Sequence, residues 1–171
     1  MAERAGLVTM NGKPLTLQGS EVKVGDRAPE FTVTRNDMTP ATLADFKGKV
    51  LILSAVPSLD TSVCSLETRR FNKEASGLGP NVLVLTISMD LPFGQKRWCS
   101  MEKVDRVVTL SDYREASFGM SYGVLIKELH ILSRAVFLVD RAGVVRYVEL
   151  VPELTHEPNY TKLFDAVRSL K

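Results

Sequence analysis

The sequence predicts an α/β fold with a mixed central sheet. Two runs carry the first part of this prediction. VLILSAV (residues 50–56) and NVLVLTIS (residues 81–88) are almost continuously apolar, as suits strands buried on both faces. An amphipathic helical stretch lies between them, so strand, helix and strand form a βαβ unit with parallel strands. The second part comes from RAVFLVD (residues 134–140) and VVRYVEL (residues 144–150). They flank Arg141-Ala142-Gly143 and predict an antiparallel hairpin with a short turn.

The other elements follow in chain order. Asn11-Gly12, between the β-prone runs LVTM and KPLTL, signals a hairpin at the N-terminus, with Pro14 confining its second strand to an edge. A polar, glycine-containing link leads to a short alternating strand, FTVT, at 31–34. After the first buried strand, Val63, Leu66, Phe71, Ala75 and Leu78 share one helical face, with Arg69, Arg70 and Lys73 mostly off it. Asp60, Thr61 and Ser62 are all suitable N-caps, and Gly77 and Gly79 suit the stop. DLPFGQKRWCSME (90–102) predicts a second helix, capped by Asp90 with Pro92 in its first turn. A short strand is expected at 107–110 and a helix at 113–122. The chain ends in a helix whose apolar face is Tyr160, Leu163, Phe164, Val167 and Leu170. No repeat, low-complexity tract or linker interrupts it, so residues 1–171 read as one domain. The order β-α-β, helices, hairpin and last helix is the plan of a thioredoxin-like fold with an added N-terminal hairpin. Fold alone does not give function.

Bulk properties narrow the function. The chain is 44% hydrophobic and 25% charged, with 22 basic and 20 acidic residues and a net charge of +2. That is an ordinary globular balance. The charges are mixed along the chain, and no basic stripe argues for nucleic acid. The first residues lack the apolar core of a signal peptide, and no apolar run reaches the length of a membrane span. The expectation is a cytoplasmic protein. In a reducing compartment a cysteine pair is more often catalytic or redox-sensing than structural. Two cysteines are also too few for a disulfide scaffold or a four-cysteine zinc site.

Cys64 therefore draws attention. It lies in VPSLDTSVCSLETRRFN, just after a buried strand and in the first turn of a helix. A small buried hydrophobe is one reading, since free cysteine commonly packs inertly. The strand-to-helix corner favours the other reading. Free N–H groups and the positive end of the helix dipole favour an anion there, and a thiolate is such an anion. A lowered thiol pKa is not a full mechanism, however. A fall from about 8.5 to about 6 raises the thiolate fraction at neutral pH roughly 30-fold. With a Brønsted slope of about 0.4–0.5, the same fall costs roughly 10–18-fold in intrinsic nucleophilicity. The net gain is about two- to threefold, so a fast thiol enzyme must also stabilise its leaving group. Thr61 can supply an O–H, the helix start supplies N–H groups, and a permanent cation suits best. Arg134, at the start of a strand beside a loop, is the candidate; otherwise it is a solvated strand-end charge.

Cys99 follows Trp98 on the second predicted helix. It reads either as a core residue or as a thiol that condenses with a sulfenic acid on Cys64. A disulfide needs α-carbons within about 7 Å, so a wider gap would require both helices to unwind partly. His130 and His156 are isolated and have no metal-site spacing. Gly77-Leu-Gly79 ends a helix rather than opening one, so it is no phosphate loop. No C-x-x-C motif is present, which argues against a thioredoxin-type disulfide oxidoreductase.

The segment around Cys64 resembles the active-site segment of peroxiredoxins, with Pro57, Thr61 and Cys64 in a P-x-x-x-T-x-x-C pattern. VKVGDRAPEF upstream is similar to the stretch that leads into that domain. The fuller likeness is to the atypical two-cysteine peroxiredoxins, through DLPFGQKRWC, SRAVFLVD and VPELTHEPNY, and it covers nearly the whole chain. The resemblance implies that Cys64 is the peroxidatic cysteine, attacking hydrogen peroxide or an organic hydroperoxide. It implies that Thr61 and Arg134 hold the peroxide, that Pro57 shields the substrate pocket, and that Cys99 resolves the sulfenic acid through an intrachain disulfide. Thioredoxin would be the reductant and a homodimer the assembly, with no metal, haem or flavin. Two other classes stay open from the residues: a thiol redox sensor, separable by turnover, and an interaction domain with inert cysteines, separable by alkylation.

Overall fold

The computed structural model describes residues 2–170. Its strands are β1 (Glu3–Met10), β2 (Lys13–Gln18), β3 (Thr32–Arg35), β4 (Pro40–Thr42), β5 (Val50–Ala55), β6 (Val82–Ser88), β7 (Val107–Ser111), β8 (Leu125–Ile126), β9 (Ile131–Leu132), β10 (Ala135–Val139) and β11 (Val145–Leu150). The helices are α1 (Ser62–Leu78), α2 (Pro92–Glu102), α3 (Ser117–Ser121) and α4 (Tyr160–Arg168). The main sheet runs β11-β10-β5-β6-β7-β3-β4, and a small second sheet runs β1-β2-β8-β9. β5 pairs in parallel with β6, and β6 with β7, while β10 joins β5 antiparallel. This is the mixed sheet of a thioredoxin-like fold.

The pleat divides the core. Leu51, Leu53 and Ala55 face a cluster around Phe118, Tyr122 and Phe137. Val50, Ile52 and Val56 face the other cluster, with Cys64, Phe71, Trp98, Leu163 and Phe164. Ser54 shares the parity of this second set and is fully buried, a hydroxyl in an otherwise apolar strand face. At the N-terminus, Asn11 and Gly12 take φ of 51° and 78°, the two positive values that a tight hairpin turn needs.

Several expectations need correction. The strand at 31–34 begins one residue later, and β4, β8, β9 and a 3₁₀ turn at Leu43–Phe46 had no sequence signal. β2 is an inner strand, but β8 covers only Leu17 and Gln18, so Pro14 still has no strand to donate to on that side. The helix expected at 113–122 shrinks to Ser117–Ser121. Its start is set by Ala116 at a left-handed φ of 50° and by the Asp112 carboxylate, which accepts from the Phe118 and Gly119 N–H groups. Asp90 does not cap α2; Leu91 holds the cap position without a side-chain bond.

The face of α1 is also rotated from the expected one. Leu66 is exposed and Val63 half-buried, whereas Cys64, Glu67, Thr68, Phe71 and Leu78 point inward. The helix does begin after Thr61 and stop at Gly79, whose φ is 94°. A helix with a cysteine, a carboxylate and a hydroxyl on its buried face must find them partners.

Candidate active site

β5 delivers the chain to a loop, 56–61, and α1 then starts with Cys64 in its first turn. The first intrahelical bond runs from the Ser65 N–H to the Thr61 carbonyl, and no side chain caps this end. The N–H groups of Ser62, Val63 and Cys64 therefore precede the ladder, beside the thiol.

Cys64 is 0% exposed, and its Sγ lies 3.3 Å from Arg134 Nη2. Arg134 is itself 1% exposed. A buried guanidinium survives only with its donors used. Arg134 Nη1 donates to Glu67 Oε2 at 2.6 Å, and Nε and Nη2 both donate to the Leu154 carbonyl, at 3.0 and 2.8 Å. Glu67 is completed by Ser54 Oγ, which donates to Oε1 at 3.0 Å. The buried hydroxyl of β5, the carboxylate of α1 and the cation before β10 are thus one network that holds a positive charge against a sulfur.

The N-terminal hairpin braces this network from outside. The Leu154 N–H donates to the Thr9 carbonyl, and the Thr9 N–H to the Pro152 carbonyl, so the loop that presents the Leu154 carbonyl is tied to β1. Glu153 accepts from the Thr155 N–H, the Gly12 N–H and Thr9 Oγ1, and these bonds, the Thr155 N–H foremost, hold its carboxyl down at about 2.

Burial pushes the Glu67 carboxyl up to about 7, although Arg134 and Ser54 oppose the shift. The sign for stability follows. The unfolded chain releases this proton near 4.5 and the folded one near 7. Folding is therefore favoured most below 4.5, and stability falls with rising pH until about 7, by about 3 kcal/mol. Glu67→Gln removes the titration. Urea unfolding is expected to show the variant gaining on the native protein by up to about 3 kcal/mol between pH 5 and pH 8. An advantage that does not change with pH would overturn this reading.

The sequence candidates fall into two groups. Cys64 and Arg134 come together, and Pro57 is buried in the loop before α1. Thr61 is close in sequence, but its hydroxyl proton is used on the Ser58 carbonyl, at 2.8 Å. Its oxygen therefore offers lone pairs, not the O–H that the sequence suggested. Cys99 is not joined to Cys64, and both thiols are free. Its Sγ contacts Thr109 Oγ1 on β7 at 3.4 Å, and Asn36 holds Thr109 in turn. Burial raises the Cys99 thiol above its ordinary range. Glu67, Ser54 and Leu154 were missed. Ser54 left a signal, a lone hydroxyl inside VLILSAV.

Comparisons with known proteins give the family. The Redoxin family profile matches residues 23–164. A thiol peroxidase of Oceanobacillus iheyensis is 58% identical over 153 residues, covering 90% of this chain and 93% of that protein. A thiol peroxidase of Bacillus subtilis is 55% identical over 163 residues, covering 95% of this chain and 97% of its own. The crystal structure of a peroxiredoxin-like protein from Aquifex aeolicus superposes with a TM-score of 0.91 at 45% identity, covering 98% of both chains. These matches place the chain in the Redoxin family, among the thiol peroxidases of the peroxiredoxin type, and so among the peroxidases.

Proposed function

We propose that the chain acts as one domain and reduces hydrogen peroxide and organic hydroperoxides with Cys64 as its peroxidatic thiol. The observation that carries the reading is Arg134 Nη2 at 3.3 Å from Cys64 Sγ, both buried at a helix start. The Cys64 thiolate attacks the terminal peroxide oxygen, and the O–O bond breaks. Sulfur loses two electrons and becomes a sulfenic acid, and the departing oxygen takes a proton to leave as water or an alcohol. Negative charge grows on that oxygen as it leaves. Arg134 and the free N–H groups of α1 stabilise it there. Thr61 Oγ1 accepts from the hydroperoxide O–H and orients it, while Pro57 screens the sulfur from bulk water.

Cys99 then acts as the resolving cysteine. Its thiol condenses with the Cys64 sulfenic acid, releasing water and forming an intrachain disulfide. Thioredoxin, supplying two electrons and two protons, returns both thiols; its cytoplasmic setting fits a chain whose described residues include no helix long and apolar enough to cross a membrane. A homodimer is the proposed assembly.

Steady-state peroxide consumption with thioredoxin and its reductase tests the whole cycle. Many turnovers per chain are expected, and consumption limited to one equivalent would replace the enzyme with a sensor. Cys99→Ser is expected to keep the first oxidation and lose thioredoxin-linked recycling by at least about 100-fold, since no disulfide forms for thioredoxin to attack. Undiminished turnover in that variant would remove Cys99 from the cycle.

A further inference from the structure

Cys64 is engaged with Arg134 and Cys99 with Thr109, so neither sulfur reaches the other without leaving its partner. Asp90 sits between the two segments that must move. It follows β6 and directly precedes Leu91, the cap residue of α2. Its carboxylate is turned away from α2. Oδ1 accepts from Ser58 Oγ at 2.6 Å, and Oδ2 accepts from the Leu59 N–H at 2.8 Å and from Ser88 Oγ at 2.7 Å. Ser58 and Leu59 belong to the loop before Cys64, and the Ser58 carbonyl holds Thr61. On the other side Gln95, fully buried on α2, donates to Ser88 Oγ at 3.0 Å and to the Leu110 carbonyl at 2.9 Å. A continuous polar chain therefore runs from α2 through Gln95, Ser88 and Asp90 to Ser58 and the start of α1.

The helix at the far end of this chain is weakly held. Only Pro92, Gln95 and Trp98 of α2 are buried, while Phe93 is 65% and Met101 is 70% exposed. Gln95 Oε1 is buried without a hydrogen-bond partner, which penalises the docked helix. Few buried apolar contacts and an unmet acceptor are marks of a segment that opens locally. Bonds to a carboxylate are stronger than neutral ones, and stripping one donor weakens the hold on the rest.

We propose that Asp90 is a positioning residue that latches the loop before Cys64 to the helix that carries Cys99, so that the two segments open together. One opening then frees Cys99 from Thr109 and loosens the turn around Cys64. The latch rests on the roles proposed above for the two cysteines. It adds that the disulfide step is gated by a single cooperative opening rather than by two independent ones.

Hydrogen exchange of the reduced protein, resolved by peptide mass spectrometry, tests the coupling across the latch. Ser58→Ala lies on the Cys64 side, yet it is expected to speed exchange in residues 91–102 by about tenfold. Gln95→Met lies on α2 and is expected to speed exchange in residues 57–64 comparably. Asp90→Asn, which keeps the shape of the side chain, is expected to loosen both. Amides of β10 serve as the control and remain protected, which separates the latch from general destabilisation. Exchange that rises only in the substituted segment would overturn the proposal, as would a rise across the whole chain. Trapping after a peroxide pulse supplies the second readout: Ser58→Ala is expected to convert sulfenic acid to disulfide about tenfold faster. A native protein that forms no sulfenic acid on Cys64 would sink the cysteine assignment, whereas normal sulfenic acid with an unchanged disulfide rate would sink the latch alone.

Discussion

Replacing Cys64 with serine is expected to reduce peroxide consumption to the uncatalysed background. The reason is redox balance more than nucleophilicity. The thiolate gives two electrons to the O–O bond and is left as a stable sulfenic acid. A serine oxygen has no corresponding oxidised state, so no residual route exists. The fold is expected to tolerate the change. Serine is close in shape, and its hydroxyl can accept the bond that Arg134 Nη2 now directs to the sulfur. A stability change of about 1 kcal/mol or less is expected in urea unfolding. Peroxide loss followed with thioredoxin, its reductase and NADPH checks the first point. Turnover above background in a well-folded Cys64→Ser protein would transfer the chemistry to another residue.

What the sequence made legible, and what it did not, divides by the range of the interaction. β5, β6, β10 and β11 were readable because strands buried on both faces or paired in a tight hairpin announce themselves locally. β8 and β9 have two residues each, and β4 three, so their state is set by the strands beside them rather than by a pattern of their own. The wrong face of α1 has the more instructive cause. The expected face was drawn through the apolar residues alone, and Glu67 and Thr68 had no part in it. Thr68 Oγ1 donates to the Cys64 carbonyl in its own helix, but the inward position of Glu67 depends on Ser54, 13 residues before it, and on Arg134, 67 residues after it. Periodicity counts apolar residues and cannot see a buried polar face whose partners arrive from elsewhere in the chain. The same blindness hid Asp90, whose side chain looked like a cap for its own helix and instead serves the loop before Cys64. By contrast, asking what a fast thiol needs singled out Cys64 and Arg134, which the structure sets 3.3 Å apart.

Arg134→Met is expected to separate two jobs proposed for this side chain. If it is the cation beside the departing oxygen, as proposed, its loss is expected to slow the first oxidation by about 10²–10³-fold. Stopped-flow oxidation compared with a thiolate titration is the check. A change in thiolate fraction large enough to explain the whole rate loss would reject the transition-state role. As the partner of Glu67, Arg134 also holds a buried carboxylate, and breaking such a pair costs about 3–5 kcal/mol when the remaining charge is uncompensated. The size of that cost is expected to depend on pH. With the guanidinium gone, Glu67 keeps its proton to a still higher pH than the native value of about 7. The variant therefore goes on losing stability above pH 7, where the native protein has stopped, and the gap widens by about 1.4 kcal/mol per pH unit. Below pH 6 both proteins hold Glu67 neutral and the gap is smallest. Adding Glu67→Leu to Arg134→Met removes the buried acid, so the slope is expected to vanish and much of the stability to return. The rate is not expected to return, because leucine supplies no charge to the leaving oxygen. Recovery of both stability and rate in the double variant would mean that Arg134 acts only as a brace for α1, and recovery of neither would mean that its bonds to the Leu154 carbonyl carry the fold at this corner.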